Sequence, residues 1–191
     1  MLDLLAFMTI ILWPVVPLFW IPVHGLSRIF KKLGLLTYAM PLLTWVALAF
    51  IIFRNRALLL SWKIDLPIGL RVLGVILLVA GTSLHLWTAK LLGFWGLIGL
   101  TEVSTKVEGK LITKGPFLVV RHPTYLAHML IFSGVFLTTE AVATGIITFV
   151  DFLLVYALII PLEEKELSKR FGKDYNLYRE KVPKFFPRFH F

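Results

Sequence analysis

The 191-residue chain contains no cysteine. That excludes disulfides, thiolate nucleophiles and Cys-ligated zinc. Charge is scarce as well: 16% of residues are charged, against about 25% in soluble domains. No G-x-S-x-G elbow, no P-loop and no G-x-G-x-x-G after a strand occurs, so the common hydrolase and nucleotide motifs are missing. His24, His85, His122, His128 and His190 show no metal-ligand spacing. His122 and His128 are six apart, and at about 100° per residue they point away from each other on one helix. Internal repeats and low-complexity tracts are absent too.

What the chain has is apolar length. It is 58% hydrophobic with a mean hydropathy of +0.84. It is therefore read as an all-α integral membrane protein forming one domain over 1–191. A span needs about 20 mostly apolar residues. Five are predicted: Leu4–Val23, Leu35–Phe53, Leu66–Trp87, Thr124–Thr139 and Val142–Ile160. The first lacks a basic leader and a small-residue cleavage site, so it is read as a retained helix. Pro14, Pro17 and Pro22 are expected to kink or end it. The last two spans are joined only by Glu140 and Ala141, which demands a tight helical hairpin.

Basic residues set the orientation. Loop 24–34, region 88–123 and the tail from 162 carry most of the Lys and Arg. The opposite side has only Arg54, Arg56, Lys63 and Arg71. Five spans then put the N-terminus outside and both polar regions in the cytoplasm. The net charge of +9 is read as this topology plus attraction to membrane lipids, with no nucleic-acid partner. Within the polar regions, LITKGPF reads as a short strand ending in a Gly-Pro turn. A helix is expected from Leu162 to about Phe171, with a second carrying Tyr175 and Tyr178. The closing PKFFPRFHF reads as an interfacial anchor.

A few residues stand out chemically. Asp151 lies inside the fifth span, where a carboxylate is either functional or tied to a neighbouring helix. His85, near the cytoplasmic end of the third span, faces either an acceptor or the interface. Arg121-His122-Pro123 starts a helix: Pro123 suits a first helical position, and free N–H groups plus Arg121 suit an anionic group. The competing reading is a topology anchor. Glu163 and Glu164 follow Pro161 and are either a solvated helix start or acceptors for an amine or ribose hydroxyls. The hairpin brings both clusters to one face, which suggests a zwitterionic ligand.

LITKGPFLVVRHPTYLA, PLEEKEL and RFGKDYNLYREKVPKFFP, in that order, resemble the core of the isoprenylcysteine carboxyl methyltransferase and phospholipid methyltransferase families. The resemblance covers roughly residues 85–189 and makes 66–191 a methyltransferase-like core behind N-terminal helices in 1–65. It implies S-adenosylmethionine as cofactor, in a cytoplasmic pocket built from region 90–125 and the C-terminal helices. Carried over, it places Gly115, Phe117, Arg121, His122, Pro123, Tyr125, Glu163 and Glu164 around the cofactor. Phe117 stands where tyrosine is commoner, which removes a hydroxyl. His85, Trp95 and Tyr178 are the candidates for contact with a lipophilic or lipidated acceptor. Methyl transfer by in-line displacement needs no metal, only positioning and desolvation. No dedicated base stands out, which favours an acceptor that is already ionised. A prenylcysteine carboxylate is therefore expected, with a phospholipid amine as the second choice. The C-terminal stretch also resembles NADPH-dependent sterol C14-reductases, but their Arg/Asp-rich motif is replaced here by PLEEKEL. A nonenzymatic membrane protein of the same fold is the remaining alternative.

Overall fold

The computed structural model describes residues 1–99, 103 and 109–185, and their regular structure is helical. Most of the polar stretch 101–110 lies outside the described residues, as does the end of PKFFPRFHF with His190.

The first apolar run is divided at Trp13-Pro14 into α1 (Leu2–Leu12) and α2 (Val15–Gly25). Pro14 cannot donate to the carbonyl one turn back, so the helix restarts there. Pro22 sits inside α2 without ending it. After α3 (Ser27–Leu33) and a 3-10 turn come α4 (Ala39–Arg54), α5 (Arg56–Ser61) and α6 (Ile68–Leu97). α6 continues past the expected end at Trp87 and breaks at Gly93, where φ is 68° and ψ 172°.

Among the described residues, four helical runs are long and apolar enough to cross a membrane: Leu2–Gly25, Leu36–Arg54, Ile68–Leu97 and Val142–Phe171. The expected fourth span is α7 (Pro123–Thr139), which is 17 residues long. At 1.5 Å per residue it reaches about 26 Å, near the thickness of a hydrocarbon core. The protein is thus a multi-pass integral membrane protein. Leu43, Ile68 and Phe149 are 63–74% exposed on its outer face, as lipid contact requires.

The most extensive helix pair is α6 with α7. Small residues allow this approach: a Cβ on Gly81 would stand 2.9 Å from the Ala127 carbonyl, and Gly134 is as close to α6 backbone. α7 turns into α8 (Val142–Leu154) through Glu140 in the left-handed region, φ 61°. The segment before α6 and the first turn of α6 clamp this turn. The Val142 N–H donates to the Trp62 carbonyl at 2.9 Å, the Ile64 N–H to the Glu140 carbonyl at 3.0 Å, and Arg71 pairs with Glu140 at 2.7 Å. The hairpin tip is therefore at the opposite end of α7 from Arg121.

α8 does not end at the membrane surface. It passes through a π turn (Val155–Ile159) into α9 (Ile160–Phe171), and one continuous path replaces the separate helix expected from Leu162. Pro161 is absorbed by this widened turn and does not stop the helix. Gly172 then ends α9 with φ 56°, and α10 (Lys173–Lys181) carries Tyr175 and Tyr178 as expected. The predicted strand at LITKGPF does not form: 109–113 is irregular and Gly115–Leu118 is a 3-10 turn. A strand needs an edge to pair with, and no strand neighbours this stretch among the described residues.

Candidate functional site

The site lies where the start of α7 meets α9 and α10. Gly115 takes φ 60° and packs beneath Trp87 and Leu91 of α6, where a side chain would collide. That turn sends the chain through Phe117 to Arg121 and His122, and Pro123 opens α7 at its first position as predicted.

Arg121 is buried. Its Nε and Nη2 donate to Glu164 Oε1 at 3.0 and 2.7 Å, and its Nη1 donates to the carbonyls of Arg179, at 2.9 Å, and Val182. Main chain reinforces this contact: the Arg121 N–H donates to the Pro183 carbonyl at 2.8 Å, and the His122 N–H to that of Lys184 at 3.3 Å. The Tyr178 hydroxyl donates to the Phe117 carbonyl at 2.6 Å. These bonds hold the C-terminal segment against the start of α7. The Arg121 guanidinium and the Arg121 and His122 N–H groups are thus already engaged inside the protein.

The two adjacent glutamates have different surroundings, since neighbouring helical residues point about 100° apart. Glu164 faces Arg121 and His122. Glu163 faces inward, with His122 Nδ1 3.6 Å from its Oε2, and that oxygen has no hydrogen-bond partner. His122 bridges the pair, its Nε2 3.1 Å from Glu164 Oε1. Burial alone would push the His122 pKa down, but the two carboxylates outweigh burial and raise it.

Two cavities meet here. The larger, of about 570 Å³, is walled by Leu91 and Trp95 of α6, residues 109–114, and Tyr175 and Tyr178 of α10. The smaller, of about 300 Å³, lies among Trp20, His85, Tyr125 and His128. Leu92, Gly96, Phe117, Arg121 and Glu163 line both. Their volumes fall within the roughly 300–1,000 Å³ of small-molecule sites.

Among the predicted residues, Trp95 and Tyr178 line the larger cavity, while His85, His122, Pro123 and Tyr125 line the smaller. Gly115 shapes the wall from behind, and Glu164 lines neither chamber, facing a basic groove with Lys165 and Lys169. Asp151 lines neither cavity; Trp13 Nε1 donates to its Oδ1 at 2.9 Å. Tyr175 is expected on α10 from the sequence but not as a site residue. It is 1% exposed, its hydroxyl has no hydrogen-bond partner, and burial then Glu164 push its pKa above the usual value. Tyr178 is pushed up to about 12, chiefly by burial. Both therefore remain neutral hydroxyls on the cavity wall. Beside them, Glu163 offers an acceptor, Lys110 and Lys114 offer cations, and irregular backbone supplies further polar groups.

The sequence profile of the phospholipid methyltransferase family matches residues 70–174, which includes both cavities' shared wall. The chain belongs to the phospholipid methyltransferase family. Within the family match lie α6, α7 and α9 with Arg121, Glu163 and Glu164. Among curated proteins, the chain is 30% identical over 128 residues to the cobalt-zinc-cadmium resistance protein CzcN of Cupriavidus metallidurans, covering 67% of this chain and 52% of that one. It is 30% identical to methanethiol S-methyltransferase 1 of Bradyrhizobium diazoefficiens, covering 66% and 45%. A methanethiol S-methyltransferase of Crocosphaera subtropica is 31% identical, covering 66% and 50%. The chain spans about half the length of the curated relatives it matches.

Proposed function

We propose that the protein transfers a methyl group from S-adenosylmethionine to a lipophilic acceptor. The observation that carries this reading is the pair of joined cavities, one walled by polar groups and one set among helices, with Glu163 on their common wall. The larger suits the cofactor. Glu163 Oε2 and the Tyr175 hydroxyl, both buried without hydrogen-bond partners, fit an ammonium and ribose hydroxyls. Lys110 and Lys114 fit the carboxylate of the amino-acid end. Bound there, the cofactor supplies a methyl group on a positively charged sulfur that departs as a neutral thioether. Arg121 and Glu164 are positioning residues: they hold α10 in place so that Tyr175 and Tyr178 close the wall.

The acceptor enters the smaller chamber from the bilayer, and the basic face that carries the cavities lies on the cytoplasmic side. A prenylcysteine carboxylate fits the motif resemblance and needs no deprotonation. A thiol is the second reading, supported by two relatives that are methanethiol S-methyltransferases. Purified protein in lipid nanodiscs tests the proposal by calorimetry with S-adenosylmethionine and NADPH, then by transfer of labelled methyl to a prenylcysteine analogue, a thiol and a lipid extract. Cofactor binding followed by label in any acceptor sustains methyl transfer. NADPH binding without S-adenosylmethionine binding overturns it.

A further inference from the structure

His85 on α6 and His128 on α7 face each other in the smaller chamber, with ring centroids 5.0 Å apart and planes tilted by 35°. The contact follows from the helix packing: Gly81 brings α6 against the Ala127 carbonyl, and one turn further along α6 the two imidazoles meet. His128 also stacks on Phe132, which limits its ring rotation. The Nδ1 atom of each ring is buried without a hydrogen-bond partner, and both residues line the chamber. His122 differs, because Glu163 and Glu164 engage it. The other titratable groups facing the chamber are Arg121, His122, Tyr125 and Glu163. Two imidazolium charges at this separation, packed between two helices, would repel one another. The pair thus keeps at least one neutral ring, the form that accepts a proton.

We infer that His85 and His128 form the proton acceptor for an acceptor substrate that arrives protonated, and that this substrate is a small apolar thiol. The inference rests on the methyl-transfer reading and narrows its acceptor. A carboxylate would leave two buried bases without a task, whereas a thiol is a poor nucleophile until its proton leaves. The thiol S–H bond breaks and the proton passes to an imidazole nitrogen. The thiol sulfur then forms a bond to the methyl carbon. The bond between that carbon and the sulfonium breaks, its electron pair stays on the departing thioether, and the imidazolium releases its proton to water.

The test uses full-length protein in nanodiscs with ethanethiol and a prenylcysteine analogue as separate acceptors. The His128→Gln variant and the His85→Gln/His128→Gln double variant keep side-chain volume and polarity. The expected result is a loss of thiol methylation of about 10²-fold, the lower end for general-base catalysis. Calorimetric affinity for S-adenosylmethionine should stay within about twofold. Wild-type activity should fall toward acid as the pair protonates, and variant activity should recover at alkaline pH where the thiol ionises unaided. Unchanged thiol methylation in the double variant would overturn the inference. So would wild-type protein that methylates only the prenylcysteine carboxylate or lipid amines, although methyl transfer itself would stand. Absence of S-adenosylmethionine binding would instead defeat the underlying reading.

Discussion

Replacing Arg121 with alanine should loosen the C-terminal wall of the cavity before it affects the membrane helices. The side chain is 7% exposed and donates to Glu164 and to the carbonyls of Arg179 and Val182. Removing one member of a buried ion pair costs about 3–5 kcal/mol, because the partner charge is left uncompensated. His122 remains 3.1 Å from Glu164 and retains part of that compensation, so the lower figure applies to the pair. The orphaned carbonyls add about 1 kcal/mol. The total of about 4 kcal/mol corresponds to roughly a thousandfold more of the opened state. Hydrogen exchange read by mass spectrometry in nanodiscs measures this directly. Protection over 173–182 should fall by about that factor while α6 and α7 keep theirs. Arg121→Lys should restore only part, since an ammonium cannot reproduce the guanidinium fork. If α10 stays protected in Arg121→Ala while cofactor affinity drops, Arg121 contacts the ligand and is not the clamp described here.

Glu163→Gln should lower S-adenosylmethionine affinity about tenfold, the value of one charge-assisted hydrogen bond. Its melting temperature should fall modestly, because the change removes one of the two carboxylates beside His122; equal affinity would return Glu163 to a structural role. The folded pKa of His122 is raised, so its contribution is complete below about pH 6.5 and disappears as pH climbs through the folded value. Protection of α10, corrected for intrinsic exchange, should therefore decline on the alkaline side in wild type and stay flat in His122→Gln. Gly81→Ala sets a Cβ 2.9 Å from backbone and should cost about 1–3 kcal/mol by forcing α6 from α7. Gly69→Ala, which meets open space, is the control for that thermal-melt comparison.

The parts of this architecture readable from sequence are those set by local properties. Apolar run length locates the spans, and the two-residue connection at Glu140-Ala141 requires α7 and α8 to be antiparallel. That alone predicts that Arg121 and Glu163 share a face. Their exact partners were not readable. Whether Glu163 or Glu164 meets Arg121 depends on helical phase, and a one-residue difference there separates a cavity wall from a tail clamp. The His85–His128 pair is hidden for a related reason: spacing along one helix cannot report a contact between two, and this one depends on the crossing that Gly81 allows. The strand expected at 111–117 had suitable residues but no edge to join. Pro14 and Pro22 look alike in sequence, yet only the first breaks its helix.

The wide turn at Val155–Ile159 has a consequence for how this protein tolerates change. The membrane half of the long helix is rotated to suit its apolar neighbours, while the polar half must aim Glu163 at the cavity. One surplus residue in an ordinary helix would rotate everything beyond it by about 100° and swap the two glutamates' surroundings. A single wider turn takes up that surplus, so the angular settings of the two halves are independent. Lipid-facing residues before the turn can then drift in composition without disturbing the aim of the carboxylate. An insertion or deletion after the turn has no such buffer before it reaches Glu163.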